Sequence, residues 1–312
     1  MKWIGFSILV FMTLLLFGHT LFSAFYGDFY IIPVIFFIAF CFLIASIKAF
    51  RETVITKARM RVFFGTVFAV TMGTLSTYLI SVYFNLGAIL AAALVGIIAA
   101  MIISDYAVEI YCGAFVGMVS PEVLHDLSHI VLAGLLAGLI FYLSRDTFEG
   151  YGGKLGTIAF SSWIIMTTIS KCELIEELNE IRHFGTSIVI YSIGAAIITY
   201  VLSIRLKNGP VLASGIVSLA GALLLPTIHS DKAATLAAVV MAASFVGMSS
   251  QKRLKNELQV LLSGIIMGIL FVYNVNHFCG AGGKLGILAF ASVVSANGIF
   301  FLIKQIAYRS TH

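Results

Sequence analysis

The chain has 312 residues, 60% of them hydrophobic and 11% charged, with a mean hydropathy of +1.06. Soluble domains are about a quarter charged, so this composition excludes a water-soluble globule. The net charge of +5 fits basic residues flanking membrane spans, which set orientation, better than a nucleic-acid surface.

Apolar stretches of about 17–25 residues can cross a hydrocarbon core about 30 Å thick. The first two lie at 3–25 and 29–48. The opening "MKWIGFSILVFMTLLLF" resembles a signal peptide, but no A-x-A-like site follows it, so a retained first span is expected. Residues 1–60 then form a transmembrane hairpin and a basic cytoplasmic loop carrying Lys48, Arg51, Lys57, Arg59 and Arg61. Further apolar runs follow at 63–84, 86–104, 127–143, 155–169, 186–202, 210–228, 233–250, 258–273 and 285–303. Short loops between them leave no room for a soluble domain. The expected fold is all-α: a polytopic membrane protein of about 10–12 helices.

The chain is duplicated internally. A shift of 130 residues aligns 115–160 with 245–290 without a gap, and 19 of those 46 positions are identical. The matches include "FVGM" at 115–118 and 245–248, the pair Gly134/Gly138 against Gly264/Gly268, and "GGKLG" at 152–156 and 282–286. A weaker echo, "FFGT" at 63–66 against "HFGT" at 183–186, implies an insertion of about ten residues in the second copy. Such self-similarity marks a repeat architecture, here 61–180 and 181–312. Five segments per copy, an odd number, would turn the copies in opposite senses; four, with the "FVGM" segment dipping in and returning, would leave them parallel, and the charge count barely separates the two. "AATLAAVVMAASFVGMSS" has 18 uncharged residues, enough to cross, which favours five plus five, inverted. That plan puts 15 of the 19 Lys and Arg on the side of the 48–61 loop, and both termini in the cytoplasm.

In "GGKLG" two glycines let backbone N–H groups form a concave nest at a helix start. A lysine there is unfavourable, because the positive end of the helix dipole opposes it by about 0.3–1 kcal/mol. Its repetition at Lys154 and Lys284 implies a negative partner, either a carboxylate or a bound anion. Asp146 and Glu149 are near the first loop, but their counterparts are Asn276 and Cys279, so Lys284 is the better anion candidate. The competing explanation is packing: glycines for a tight turn, and a lysine that snorkels to the interface. A nucleotide-binding P-loop is excluded, since Leu155 and Leu285 follow the lysines where Ser or Thr is needed.

The residues around the "FVGM" ends, Gly117, Ser120, Gly247 and Ser250, sit where broken helices build transporter sites, or where small residues allow close packing. The GxxxG pairs are fully explained by helix crossing. Asp105 and Glu109 share one helix face, and an acid within a span is costly unless paired or wet. They are proton-coupling candidates, or else residues at the interface; their counterparts Thr235 and Val239 are uncharged. Glu122, His125 and His129 make a superficial metal pattern that reads better as a polar helix cap. Residues 171–183 read as an amphipathic surface helix. Cys41, Cys112, Cys172 and Cys279 have no CxxC spacing and give neither a metal signal nor a disulfide framework.

No Ser-His-Asp set, HExxH or nucleotide fingerprint is visible, so no enzyme, metal or cofactor is expected. The organisation resembles secondary transporters with inverted repeats, in architecture alone. That resemblance implies transport of a small anionic solute by alternating access in a plasma or bacterial inner membrane. Gly152, Gly153, Lys154, Gly282, Gly283 and Lys284 would contact the solute, with Gly117, Gly247, Ser120 and Ser250 beside them. A passive channel constricted by Phe115, Phe245, Phe160 and Phe290 is the second reading, and a membrane-assembly or lipid-handling protein the third. Membrane lipids are expected partners, a homo-oligomer is open, and nucleic acid is not expected.

Overall fold

The structure is a computed structural model, and it describes residues 2–26, 28–54, 60–123, 126–170, 185–229 and 231–309. Among these it contains twelve α-helices and no strand. The surface helix expected at 171–183, the loop residues Lys57 and Arg59, and His125 and Cys172 lie outside the described residues.

An N-terminal pair, α1 (Lys2–Tyr26) and α2 (Ile32–Glu52), is joined through a single 3₁₀ turn at Phe29–Ile31. Ring contacts of Phe6 with Phe50 (4.7 Å) and Phe17 with Phe42 (5.7 Å) hold the two antiparallel. Next come α3 (Met60–Val82), α4 (Ala88–Ile102), α5 (Ala107–Val116), α6 (Leu127–Ser144) and α7 (Lys154–Ser170). Then follow α8 (Gly185–Tyr200), α9 (Pro210–Ile228), α10 (Ala233–Gly247), α11 (Glu257–Asn274) and α12 (Lys284–Arg309). Eight of these helices, all but α4, α5, α7 and α10, are long and apolar enough to cross a membrane. The arrangement is consistent with an integral multi-pass membrane protein. At ten residues α5 is the shortest, about 15 Å long.

Burial follows the logic of a lipid-embedded chain. Large apolar side chains such as Phe36, Phe40, Phe64, Phe68, Ile190 and Leu223 are exposed, while many serines and threonines are buried. Many of those hydroxyls are satisfied within their own helices: Thr13 donates to the Leu9 carbonyl (2.8 Å), Thr71 to Val67 (2.8 Å) and Ser161 to Thr157 (2.7 Å). Such back-bonding meets the requirement that polar groups away from water find internal partners.

Glycines set the helix crossings. Gly134 and Gly138 of α6 lie against Thr71 and Val67 of α3, and Gly264 and Gly268 of α11 lie against Ile193 and Val189 of α8. Gly117 at the end of α5 abuts Thr74 and Thr77, and Gly247 at the end of α10 abuts Ala196 and Thr199. These contacts relate α3 to α8 by 122 residues (67 to 189, 71 to 193, 77 to 199), which corrects the 120-residue register of the "FFGT" echo. The signal at the packing register is "TYLIS" at 77–81 against "TYVLS" at 199–203. Packing against glycine, not the polar helix start, fixes which residues correspond.

The ten described residues with positive φ fall into pairs with the same two offsets. Asn85 and Gly87 match Lys207 and Gly209 at 122; Phe148, Gly150 and Gly153 match Phe278, Gly280 and Gly283 at 130. The extra eight residues (130 − 122) lengthen the end of α9 and the start of α10 by four each: α9 ends at Ile228, four past the place of Ile102, and α10 starts at Ala233, four before the place of Ala107.

α7 and α12 meet at their starts. A Cβ on Gly153 would strike the Phe290 and Gly286 backbone, one on Gly156 the Gly286 backbone, and one on Gly283 the Gly156 and Phe160 backbone. The pairing runs 153 with 290, 156 with 286 and 160 with 283, so the two starts are antiparallel and touch backbone to backbone. Gly156→Ala is therefore expected to cost about 1–3 kcal/mol through overpacking. Gly194→Ala, where nothing lies within 4 Å, should change stability by less than about 1 kcal/mol. Thermal unfolding of the two purified variants checks this; equal midpoints would contradict the contact.

Candidate functional site

Each "GGKLG" segment is the end of a loop that turns back from the helix before it. The backbone of the first loop passes through positive φ at Phe148 (50°), Gly150 (77°) and Gly153 (80°), and the second repeats this at Phe278 (55°), Gly280 (71°) and Gly283 (85°). Glycine tolerates that geometry without the Cβ penalty.

The loops dock reciprocally on the "FVGM" ends. The Ser250 N–H donates to the Gly150 carbonyl, and the Ser120 N–H to the Gly280 carbonyl, both at 2.9 Å. Gly152 sits against the Phe245 carbonyl, and Gly282 against those of Phe115 and Val116. The first loop has two further bonds, from Arg253 Nε to the Glu149 carbonyl (2.9 Å) and from the Gly152 N–H to Ser249 Oγ (3.1 Å); Val119 occupies the place of Ser249 opposite the second. This N–H, one of the expected anion donors, is thus held by a side chain of the protein. Around the junction, Phe115 packs on Phe245 (4.5 Å), Phe160 on Phe278 (5.2 Å) and Phe148 on Phe290 (5.0 Å).

Both lysines find a main-chain partner that the sequence did not point to, and the charges of Glu149 and Asp146 also act on Lys154. Lys154 Nζ donates to the carbonyl of Arg145 (3.1 Å), and Lys284 Nζ to the carbonyl of Val275 (2.7 Å). Arg145 and Val275 are the C-caps of α6 and α11. Each ammonium therefore caps the negative end of the preceding helix dipole, which compensates for the positive end of its own.

Beside the first loop lies a cavity of about 390 Å³, bordered by Arg145, Glu149, Lys154 and the 150–153 backbone, with Phe115, Phe141, Phe245 and Met248 among its apolar walls. The Arg145 guanidinium lies over the Tyr142 ring (4.5 Å) and within 3.6 Å of Asp146. Glu109, in the first turn of α5 and partly buried, precedes Cys112 by three residues. Cys112 Sγ donates to the Leu155 carbonyl (3.4 Å) and lies between the charges of Glu109 and Lys154. Asp105 is exposed, in a 3₁₀ turn at Ser104–Tyr106. Of the expected site residues, Gly152, Gly153 and Lys154 line this cavity, while Gly282, Gly283 and Lys284 belong to the opposite loop. Ser120 and Ser250 serve the docking contacts, while Gly117 and Gly247 pack on α3 and α8.

Sequence reasoning missed Arg145, which is not repeated at 275, and a buried hydroxyl chain. Tyr111 Oη lies 3.0 Å from Ser214 Oγ, Ser214 Oγ 2.8 Å from Ser244 Oγ, and Ser218 Oγ 3.2 Å from Ser244 Oγ. Tyr111 also packs on Phe115 (4.3 Å), so the chain runs directly behind the aromatic junction. Its one visible signal was Ser214 and Ser218, four apart on one face of α9. Among the described residues no group of three His, Cys, Asp or Glu side chains could hold a metal; His129 pairs with Asp126 at 3.7 Å.

Comparison with protein-family models, curated proteins and solved structures finds no match to this chain. The lysine caps make their own prediction. Removing a charged donor from a buried carbonyl costs about 1.5–3 kcal/mol, so Lys154→Gln and Lys284→Gln should both lower the thermal midpoint, by similar amounts. A loss for one and none for the other would contradict the shared capping role.

Proposed function

We propose that the chain is a secondary transporter of a small anionic solute, built from two inverted five-helix copies that alternate access to a site at the loop junction. The cavity carries this reading. Arg145, Lys154 and the start of α7 bring positive charge to its lining, where Glu149 is the acid; Glu109, whose charge and that of Lys154 both act on Cys112, is the proposed proton-coupling carboxylate. Such charges near a helix break are a usual device of solute sites in transporters.

Three observations support inversion. The antiparallel start-to-start contact of α7 and α12 is what a two-fold axis in the membrane plane produces; an axis along the normal would set equivalent helices parallel. The docking bonds are reciprocal. And α1 touches the end of α6 near its own start, where Gly5 meets Leu143 and Ser144, but the end of α11 near its own finish, where Asn274 donates to Thr20 (2.7 Å). Gly5 and Thr20 are about 22 Å apart along the helix, so corresponding helices finish at opposite ends of one span. With the basic 48–61 loop on the inner face, both termini are cytoplasmic and the inner membrane is the proposed location.

A passive channel is the second reading, and one observation weighs against it. Gly156 and Gly286 meet backbone to backbone between the two copies, in the place an axial pore would take, and the phenylalanine pairs close on either side.

Uptake of labelled phosphate, sulfate and carboxylates into proteoliposomes tests the proposal. Saturable, gradient-driven uptake of one anion class is expected. Arg145→Gln should reduce it at least about ten-fold with little change in thermal midpoint, and Glu109→Gln should abolish its response to a pH gradient while leaving counterflow exchange. Conductance in single-channel steps, or uptake unaffected by Arg145→Gln, would overturn it.

A further inference from the structure

A second charged cleft lies away from the loop junction. Lys48, Lys252, Arg253, Lys255 and Lys304 line a cavity of about 220 Å³ between the end of α2, the turn after α10 and the later turns of α12. Glu52 is the acid in its lining. Arg253 binds Glu52 (2.9 Å) and Lys48 lies 3.8 Å from the same carboxylate, so that one negative charge is already shared by two cations. Lys252, Lys255 and Lys304 add three more around the same space. Like charges so close raise one another's energy unless an anion joins them.

The position of the cleft indicates which anion. Its wall includes Phe300 and Phe301, with Lys48 Nζ 4.7 Å from the centre of the Phe301 ring. Just outside, Ile47 of α2 and Ile303 of α12 are more than half exposed, and Ile47 continues the exposed apolar face of α2 formed by Phe36, Phe40 and Leu43. Positive charge therefore gathers where a lipid-facing surface ends, at the depth of headgroups. Basic pockets between helices at that level take anionic headgroups. Tyr151, stacked under the Arg253 guanidinium (4.5 Å), borders both this cleft and the inner cavity.

We propose that the cleft binds the phosphodiester headgroup of an anionic phospholipid, held by Lys252, Lys255 and Lys304, with the acyl chains against Ile47 and Ile303. This inference is independent of what the protein transports.

The test uses the full chain in phosphatidylcholine nanodiscs with and without phosphatidylglycerol, reading retained lipid by native mass spectrometry and the thermal midpoint. Retained phosphatidylglycerol and a raised midpoint are expected. Retention should fall about five-fold for each lysine removed in Lys304→Gln and in the triple variant Lys252→Gln, Lys255→Gln, Lys304→Gln, but not in Lys207→Gln, a lysine outside the cleft. If the triple variant does not fold, Lys304→Gln alone decides. Unchanged retention in the cleft variants, or an equal loss in Lys207→Gln, would overturn the proposal. If inorganic phosphate or glycerol phosphate raises the midpoint as much as phosphatidylglycerol does, the cleft reads soluble phosphate and the lipid assignment fails.

Discussion

The contact of Gly156 with Gly286 is the constraint on which the rest of the structure depends. Two helix starts can touch main chain to main chain only where neither carries a Cβ at the crossing, and Gly153, Gly156, Gly283 and Gly286 supply that absence. Once α7 and α12 are held this way, the loops before them must fold back beneath α6 and α11. In doing so they present the Gly150 and Gly280 carbonyls to Ser250 and Ser120. The aromatic pairs then close around the junction. A repeated glycine motif that looks like a ligand nest is first a device for bringing backbones together.

The lysines show how such a junction accommodates positive charge. An ammonium at a helix start inside a low-dielectric protein requires compensation, and the carbonyl at the end of the preceding helix provides it nine residues upstream in both loops. This weakens the argument that a bound anion must sit on Lys284. It leaves the cavity beside Lys154 as the place where the two loops differ, because there Asp146 and Glu149 add two acids, and Arg145 a second cation, that the other loop lacks. The position corresponding to Arg145 is Val275. The two loops share a scaffold while differing in charge.

Much of the architecture was legible in the sequence. Hydropathy placed eleven of the twelve helices near their observed bounds, because spans in lipid must be apolar along most of their length; the ten-residue α5, which carries Glu109, fell outside the apolar runs. The 130-residue identity located the two loops that cross. The register of α3 against α8 was misread, because a motif at the helix starts was weighted over "TYLIS" and "TYVLS", which face the glycines of α5 and α10. The lysine partners were hidden for a different reason: they are main-chain carbonyls, so the identity of residues 145 and 275 carries no trace of them. The hydroxyl chain of Tyr111, Ser214, Ser218 and Ser244 is assembled from three helices distant in sequence, and spacing along one helix reveals only the Ser214–Ser218 step.

Transport by alternating access rests on the proposed inversion of the two copies, and sided labelling of their corresponding turns tests it directly. Phe84 and Leu206 are exposed and occupy matching places, 122 residues apart, before α4 and α9. In a cysteine-free background reconstituted in one orientation, Phe84→Cys and Leu206→Cys are each exposed to a membrane-impermeant maleimide. The account predicts labelling from opposite faces, with Leu206→Cys reacting on the side of the 48–61 loop. Labelling of both positions from the same face would contradict it.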